Sequence, residues 1–185
     1  METPSKKELI KDVESIFQDT TSWIESQPEE NFNKEMVKGK WTSAGHLYHL
    51  IKTSKGVTKG FSMPKLVLRM TFGVNNRTER TFEEQYQKYI SKLEEILKNT
   101  GKQARPSNEY LPKEGREFDK DELLSRFEES KQNFIQAFEK ISEKDLGKFV
   151  IPHPLIGKLT LREFTYFIIF HTKHHLDNLK ENYEN

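Results

Sequence analysis

The sequence predicts an all-α fold, a four-helix bundle with an additional helix and a long loop in the middle of the chain. Three observations carry this reading. Four stretches open on an oxygen-bearing residue followed three positions later by Glu, and each leads into apolar residues at helical spacing. No segment sustains strand alternation, and no internal repeat is visible. Apolar residues make up 34 % of the chain and charged residues 32 %, a balance that confines the core to narrow helix faces. The 185 residues suit one domain spanning 1–185, long enough to bury a core without cross-links.

The first start is "SKKE", Ser5 to Glu8, and the helix is expected from Lys6 to Gln27. Ile10, Val13, Phe17 and Ile24 mark its inner face, with Pro28 beyond its end. After the loop "PEENFNKEMVKGK", a second helix begins near Trp41 and runs towards Pro64. Its Gly45, Gly56 and Gly60 weaken it intrinsically and are expected to admit close helix–helix approach. "KLVLRMTF" continues as a kinked helix after Pro64, and "GVNNRT" is a turn.

"TFEE", Thr81 to Glu84, opens the additional helix, expected from Phe82 to Lys98 with Tyr86, Tyr89, Leu93, Ile96 and Leu97 at helical spacing. The segment "NTGKQARPSNEYLPKEGREF" is a long polar loop of the kind that covers a site. "DKDE", Asp119 to Glu122, opens a helix from Lys120 to Ile141 that buries Leu124, Phe127, Phe134, Ile135 and Phe138. "LGKFVIPHPLIGK" is an extended connection held open by two prolines and a glycine. "TLRE", Thr160 to Glu163, opens the last helix, from Leu161 to about Glu181.

Composition excludes several function classes. With no cysteine there is no disulfide, no thiolate nucleophile and no cysteine zinc site. The opening "METPSKKELIKD" has no apolar core, so it is no secretory signal, and "FTYFIIF" is too short to span a bilayer. The expected location is the cytoplasm, with no membrane partner. The formal net charge of +1 gives no basic stripe for a phosphate backbone, so nucleic acid is not an expected partner.

The chemistry is expected in the histidines. At about 100° per residue, Leu161, Phe164, Ile168, His171, His175 and Leu179 share one face of the last helix. Arg162, Lys173, Asp177 and Lys180 lie opposite, and His174 falls on the flank. Two inward imidazoles one turn apart are placed to share a divalent ion. The competing reading is a hydrogen-bonded core pair. Thr172 follows His171, so the pair has no built-in carboxylate base. A third ligand must come from another element. The second helix offers His46, nearer its apolar side, and His49, which shares a face with Gly45, Thr53, Gly56 and Gly60. Spacing does not choose between them, and His153 in "IPHPLIGK" is a weaker candidate.

Two separated segments, "GKWTSAGHLYHLIKTSKG" and "PHPLIGKLTLREFTYFIIFHTKHHLDNLK", resemble the DinB-like superfamily of damage-inducible and bacillithiol-transferase-like four-helix bundles. The family pattern is a Trp-Ser/Thr helix start, a His two turns on, and a last helix carrying His-x-x-x-His. The resemblance covers nearly the whole chain. It implies a metal triad of His49, His171 and His175, with His46 a neighbour and with Trp41 and Ser43 packing and capping the helix start.

The resemblance further implies a divalent metal, zinc or nickel, with open positions for a small-molecule substrate. The implied chemistries are thiol S-transfer, with a low-molecular-weight thiol as cosubstrate, and hydrolysis through an activated water. Thr53, Tyr86 and Tyr89 are candidate polar groups of the pocket. The rival is a non-enzymatic, stress-linked bundle that binds a ligand or protein. Tyr166, Ile169 and Phe170 lie off the core stripe. They are expected either under the middle helix or the long loop, or in a homodimer interface, and the resemblance favours the homodimer.

Overall fold

The computed structural model describes residues 3–102 and 104–184. It contains helices α1 (Lys6–Glu25), α2 (Ser43–Phe61), α3 (Lys65–Phe72), α4 (Phe82–Thr100), α5 (Lys120–Glu139), α6 (Glu143–Leu146) and α7 (Leu161–Glu184), with strands β1 (Val150–His153) and β2 (Gly157–Thr160) before α7. Two 3₁₀ turns, Glu29–Asn31 and Asn108–Tyr110, lie in the loops.

The four expected starts are helix starts. Ser5–Glu8 and Thr81–Glu84 form reciprocal capping boxes. Thr160–Glu163 does the same: the Glu163 amide donates to Thr160 Oγ1 at 3.1 Å and the Thr160 amide donates to Glu163 Oε2 at 2.9 Å. Asp119 accepts from the Glu122 amide. Each bond satisfies an amide that the helix itself leaves unpaired. At the other end of α4, Gly101 adopts φ 65°, the left-handed conformation that closes a helix without steric cost.

Helices α1, α2, α5 and α7 form the bundle. α5 packs between α1 and α2, and α7 closes the ring against the same two helices. Phe17 of α1 stacks on Phe127 of α5 at 4.4 Å, and Phe61 of α2 meets Phe134 of α5 at 5.4 Å. Val13, Phe17, Leu47, Phe127, Phe134 and Phe138 are wholly enclosed. The additional helix is α4, which packs outside the ring against α7.

Two expectations are corrected here, and one choice between alternatives is decided. The connection before α7 is not simply extended. It holds α6 and an antiparallel hairpin in the register Val150↔Thr160 to His153↔Gly157. Four-residue strands are too short to show a period. Of the places expected for Tyr166 and Phe170, the one found is beneath the middle helix, where Phe82, Tyr86 and Tyr89 of α4 cover them with ring contacts of 5.3–6.0 Å. The glycines of α2 do not bring helices together. A Cβ at Gly60 would stand 2.7 Å from Ile151 of β1, and one at Gly56 would stand 3.3 Å from the Tyr110 hydroxyl in the long loop.

A buried carboxylate ties the middle of the chain to α7. Glu163 is fully enclosed. It accepts from Arg77 Nη1 at 2.7 Å and Nη2 at 2.5 Å, from the Arg80 amide at 2.8 Å and from the Thr160 amide. One side chain therefore caps α7 and anchors residues 77–80, which lead into α4. No helix among the described residues is long and apolar enough to cross a membrane.

Candidate metal centre

The N-terminus of α2 begins with Thr42, whose side chain accepts from the Gly45 amide at 2.9 Å. Thr42 is the cap, not Ser43. Ser43 is buried and shares a hydrogen bond of 3.0 Å with the Tyr183 hydroxyl of α7. This tie holds the first turns of α2 against the second half of α7. Residues 46 and 49 of one helix then face residues 171 and 175 of the other.

The three histidines named by the resemblance meet there. His171 Nε2 lies 3.2 Å from His49 Nε2 and 3.2 Å from His175 Nε2. The ligand atoms of all three lie within 4.8 Å of one another, and all three residues are buried. His174 is half-buried, bonded to Asn178 and set aside from the group. Asp177 pairs with Lys173 on the outer face, as the helical phase requires. His153 is buried elsewhere, with its ring 4.5 Å from Phe167 and its Nδ1 accepting from the Leu155 amide.

The outer nitrogens have different surroundings. His49 Nδ1 lies 3.3 Å from the Tyr110 carbonyl oxygen. His175 Nδ1 lies 2.8 Å from His46 Nδ1. His171 Nδ1 is buried without a partner among the described residues, and its ring stacks on Phe167 at 4.7 Å. Trp41 stacks on His175 at 5.7 Å and touches the rings of His46 and His49. Of the polar groups expected nearby, Tyr89 has its ring 6.3 Å from His171, whereas Tyr86 lies against Phe170.

The environment keeps these rings uncharged. Burial pushes His46 down to about 3, helped by His49 and His174. Burial pushes His49 down to about 4, against the opposing bond to Tyr110. His171 and His175 fall well below the ordinary imidazole range, first through burial and then through neighbouring histidines. A neutral imidazole is the form that donates a lone pair to a metal.

The spacing suits a small cation. Nitrogens held 2.0–2.1 Å from a tetrahedral zinc ion stand about 3.3–3.4 Å apart, close to the 3.2 Å seen at His171. Among the described residues, three nitrogens and no carboxylate form the group. The residues thus fit a borderline cation such as zinc or nickel better than a hard one such as calcium.

Sequence reasoning did not assign the roles of two participants. His46 is more than a neighbour, since it bonds directly to His175. Tyr110 supplies the acceptor for His49 from the long loop. The only advance signals were the position of His46 one turn before His49 and the length of the loop.

No curated protein matches the sequence. Among solved structures, the chain is similar to YfiT from Bacillus subtilis, described as a probable metal-dependent hydrolase with an unusual four-helix bundle topology. The two share 17 % identity with a TM-score of 0.64, over 98 % of this chain and 89 % of that one, which establishes a common fold. The sequence model of the DinB superfamily matches residues 13–178. The chain therefore belongs to the DinB superfamily.

Proposed function

We propose that the protein is a divalent-metal-dependent enzyme acting on a small molecule, with His49, His171 and His175 as the metal ligands. The observation that carries this reading is the meeting of three buried, neutral histidine Nε2 atoms from α2 and α7. Three protein ligands leave a coordination position open, the arrangement of a catalytic rather than a structural metal. Zinc or nickel suits the all-nitrogen donor set. A bound ion of this kind supplies Lewis acidity, polarising a carbonyl or lowering the pKa of a water or thiol.

The chain's own residues then have definite tasks. His171 and His175, one turn apart on α7, set one edge of the site, and His49 sets the other. Trp41 packs its ring against those of His49 and His175. Tyr110 carries the long loop to the site and holds the His49 ring through its carbonyl. No carboxylate among the described residues joins the cluster, so these residues leave a proton released in the reaction to substrate, cosubstrate or solvent.

Two chemistries fit this frame. Hydrolysis is favoured by the description of YfiT. S-transfer would need a thiol from solution, since the chain has no cysteine. The test presents chelator-treated and metal-reconstituted protein with ester, amide and electrophilic substrates, with and without a panel of small thiols. Metal-dependent turnover that ignores every thiol selects hydrolysis. Metal-dependent turnover that requires a thiol selects S-transfer. No metal-dependent turnover with any of them counts against the enzymatic reading.

A further inference from the structure

The three outer nitrogens of the centre are not equivalent, and their differences bear on which tautomer each ring adopts. A ring that turns its Nε2 lone pair inward must carry its proton on Nδ1. At His49 that proton meets a backbone carbonyl, which only accepts. At His175 it meets another imidazole nitrogen, His46 Nδ1, at 2.8 Å. Only one proton fits between two ring nitrogens at that distance. Either His175 donates and His46 accepts, or the reverse. In the reverse case His175 carries its proton on Nε2, pointed into the centre, and cannot be a ligand.

We propose that His46 is the positioning residue of this site: its Nδ1 lone pair accepts the His175 Nδ1 proton and holds His175 in the tautomer whose Nε2 lone pair faces His49 and His171. The proposal rests on the metal reading above for its functional meaning, but its geometry stands on the contact between the two outer nitrogens. His46 occupies the place usually taken by a carboxylate or carbonyl behind a metal-binding histidine. An imidazole acceptor brings no negative charge. With a carbonyl behind His49 and no partner behind His171 among the described residues, those residues add no formal negative charge behind the ligands, so a bound divalent ion would stay more electrophilic than with a carboxylate there.

His46 also packs, with its ring 5.4 Å from Trp41 and 5.0 Å from His175. A purely structural role would be served by shape alone. Two substitutions separate the roles. His46→Phe keeps a ring and removes the acceptor. His46→Asn loses the ring and keeps an oxygen acceptor at the same branch point.

The experiment has two readouts, neither of them activity. The first is affinity for zinc and for cobalt, measured by competition with a chromophoric chelator, together with the visible spectrum of the cobalt form. His46→Phe is expected to bind about 10–100-fold more weakly, and His46→Asn to lie between it and the parent. Phe binding as tightly as the parent, or more tightly than Asn, overturns the proposal. The second is the tautomer of His175, read from ring ¹⁵N shifts in chelator-treated protein. A proton on Nδ1 in the parent, with that preference lost in His46→Phe, supports the proposal, and a proton on Nε2 in the parent overturns it. If the parent binds neither ion, the metal reading fails alone, and the tautomer still decides the role of His46.

Discussion

Replacing Glu163 with Gln tests how the connection before α4 is held. Both carboxylate oxygens are fully used. Oε1 accepts from Arg77 Nη1 and the Arg80 amide, and Oε2 accepts from Arg77 Nη2 and the Thr160 amide. An amide presents an NH₂ group in place of one oxygen, so in either orientation two donors lose their acceptor and face another donor. Burial alone would push the Glu163 carboxyl up, but the Arg77 fork and the two amides outweigh it and hold the group below its usual range. Removing one partner of a buried, hydrogen-bonded ion pair costs about 3–5 kcal/mol. At about 2–4 °C per kcal/mol for a chain of this size, Tm should fall by roughly 6–20 °C. Urea unfolding should show an earlier midpoint with an unchanged slope. Glu84→Gln changes the same capping motif at an exposed position and should leave the midpoint near that of the parent. A Glu163→Gln protein within about 0.5 kcal/mol of the parent would refute the anchoring role.

Three further outcomes are expected. Phe127→Ala removes a fully enclosed ring stacked on Phe17 and should cost about 3–5 kcal/mol, read from urea unfolding; a loss under about 1 kcal/mol would contradict the packing described. Gly56→Val places a branched side chain where a Cβ already stands 3.3 Å from the Tyr110 hydroxyl, and should loosen residues 101–118 so that trypsin cuts there faster; unchanged cleavage would show that Tyr110 does not lie on α2. In chelator-treated protein, stability should fall as pH drops from about 6.5 towards 4. Unfolded histidines take up protons below about 6.5, whereas His46, His49 and His153 resist until about 3, 4 and 4 in the fold. Each contributes up to about 1.4 kcal/mol per pH unit in that window and nothing above it. A midpoint that stays flat or rises between pH 7 and 5, where ordinary carboxylates barely titrate, would contradict the burial of neutral rings.

Much of the bundle was legible because its signals are local. A capping residue and a helical period lie within one turn of each other, and the four starts at Ser5, Thr81, Asp119 and Thr160 needed nothing beyond the chain nearby. The inward pair His171 and His175 was legible for the same reason, since phase along one helix is a property of the sequence alone. Choosing between His46 and His49 was not, because their roles differ by which ring nitrogen faces which neighbour on α7. That depends on packing between helices far apart in the chain. The cover over Tyr166 and Phe170 was left open between two readings for a related reason: it is α4, and phase on α7 cannot say what arrives from outside. Glu163 was seen as a cap, but its hold on Arg77 and Arg80 is a long-range contact that no spacing encodes. The near-neutral total charge also hid an asymmetry. Lys38, Lys40, Lys52, Lys55, Lys59, Lys65, Arg69 and Arg77 lie in a stretch from Met36 to Thr78 without a single Asp or Glu.

We expect His49, His171 and His175 to hold one metal ion between them. Equilibrium dialysis of chelator-treated protein against zinc, followed by elemental analysis, tests it most directly. A single equivalent per chain is expected for the parent and for His174→Ala, whose ring lies outside the group. Little or no zinc should be retained by His49→Ala or His171→Ala. A parent that retains no zinc, or a His49→Ala protein that retains as much as the parent, would contradict the account.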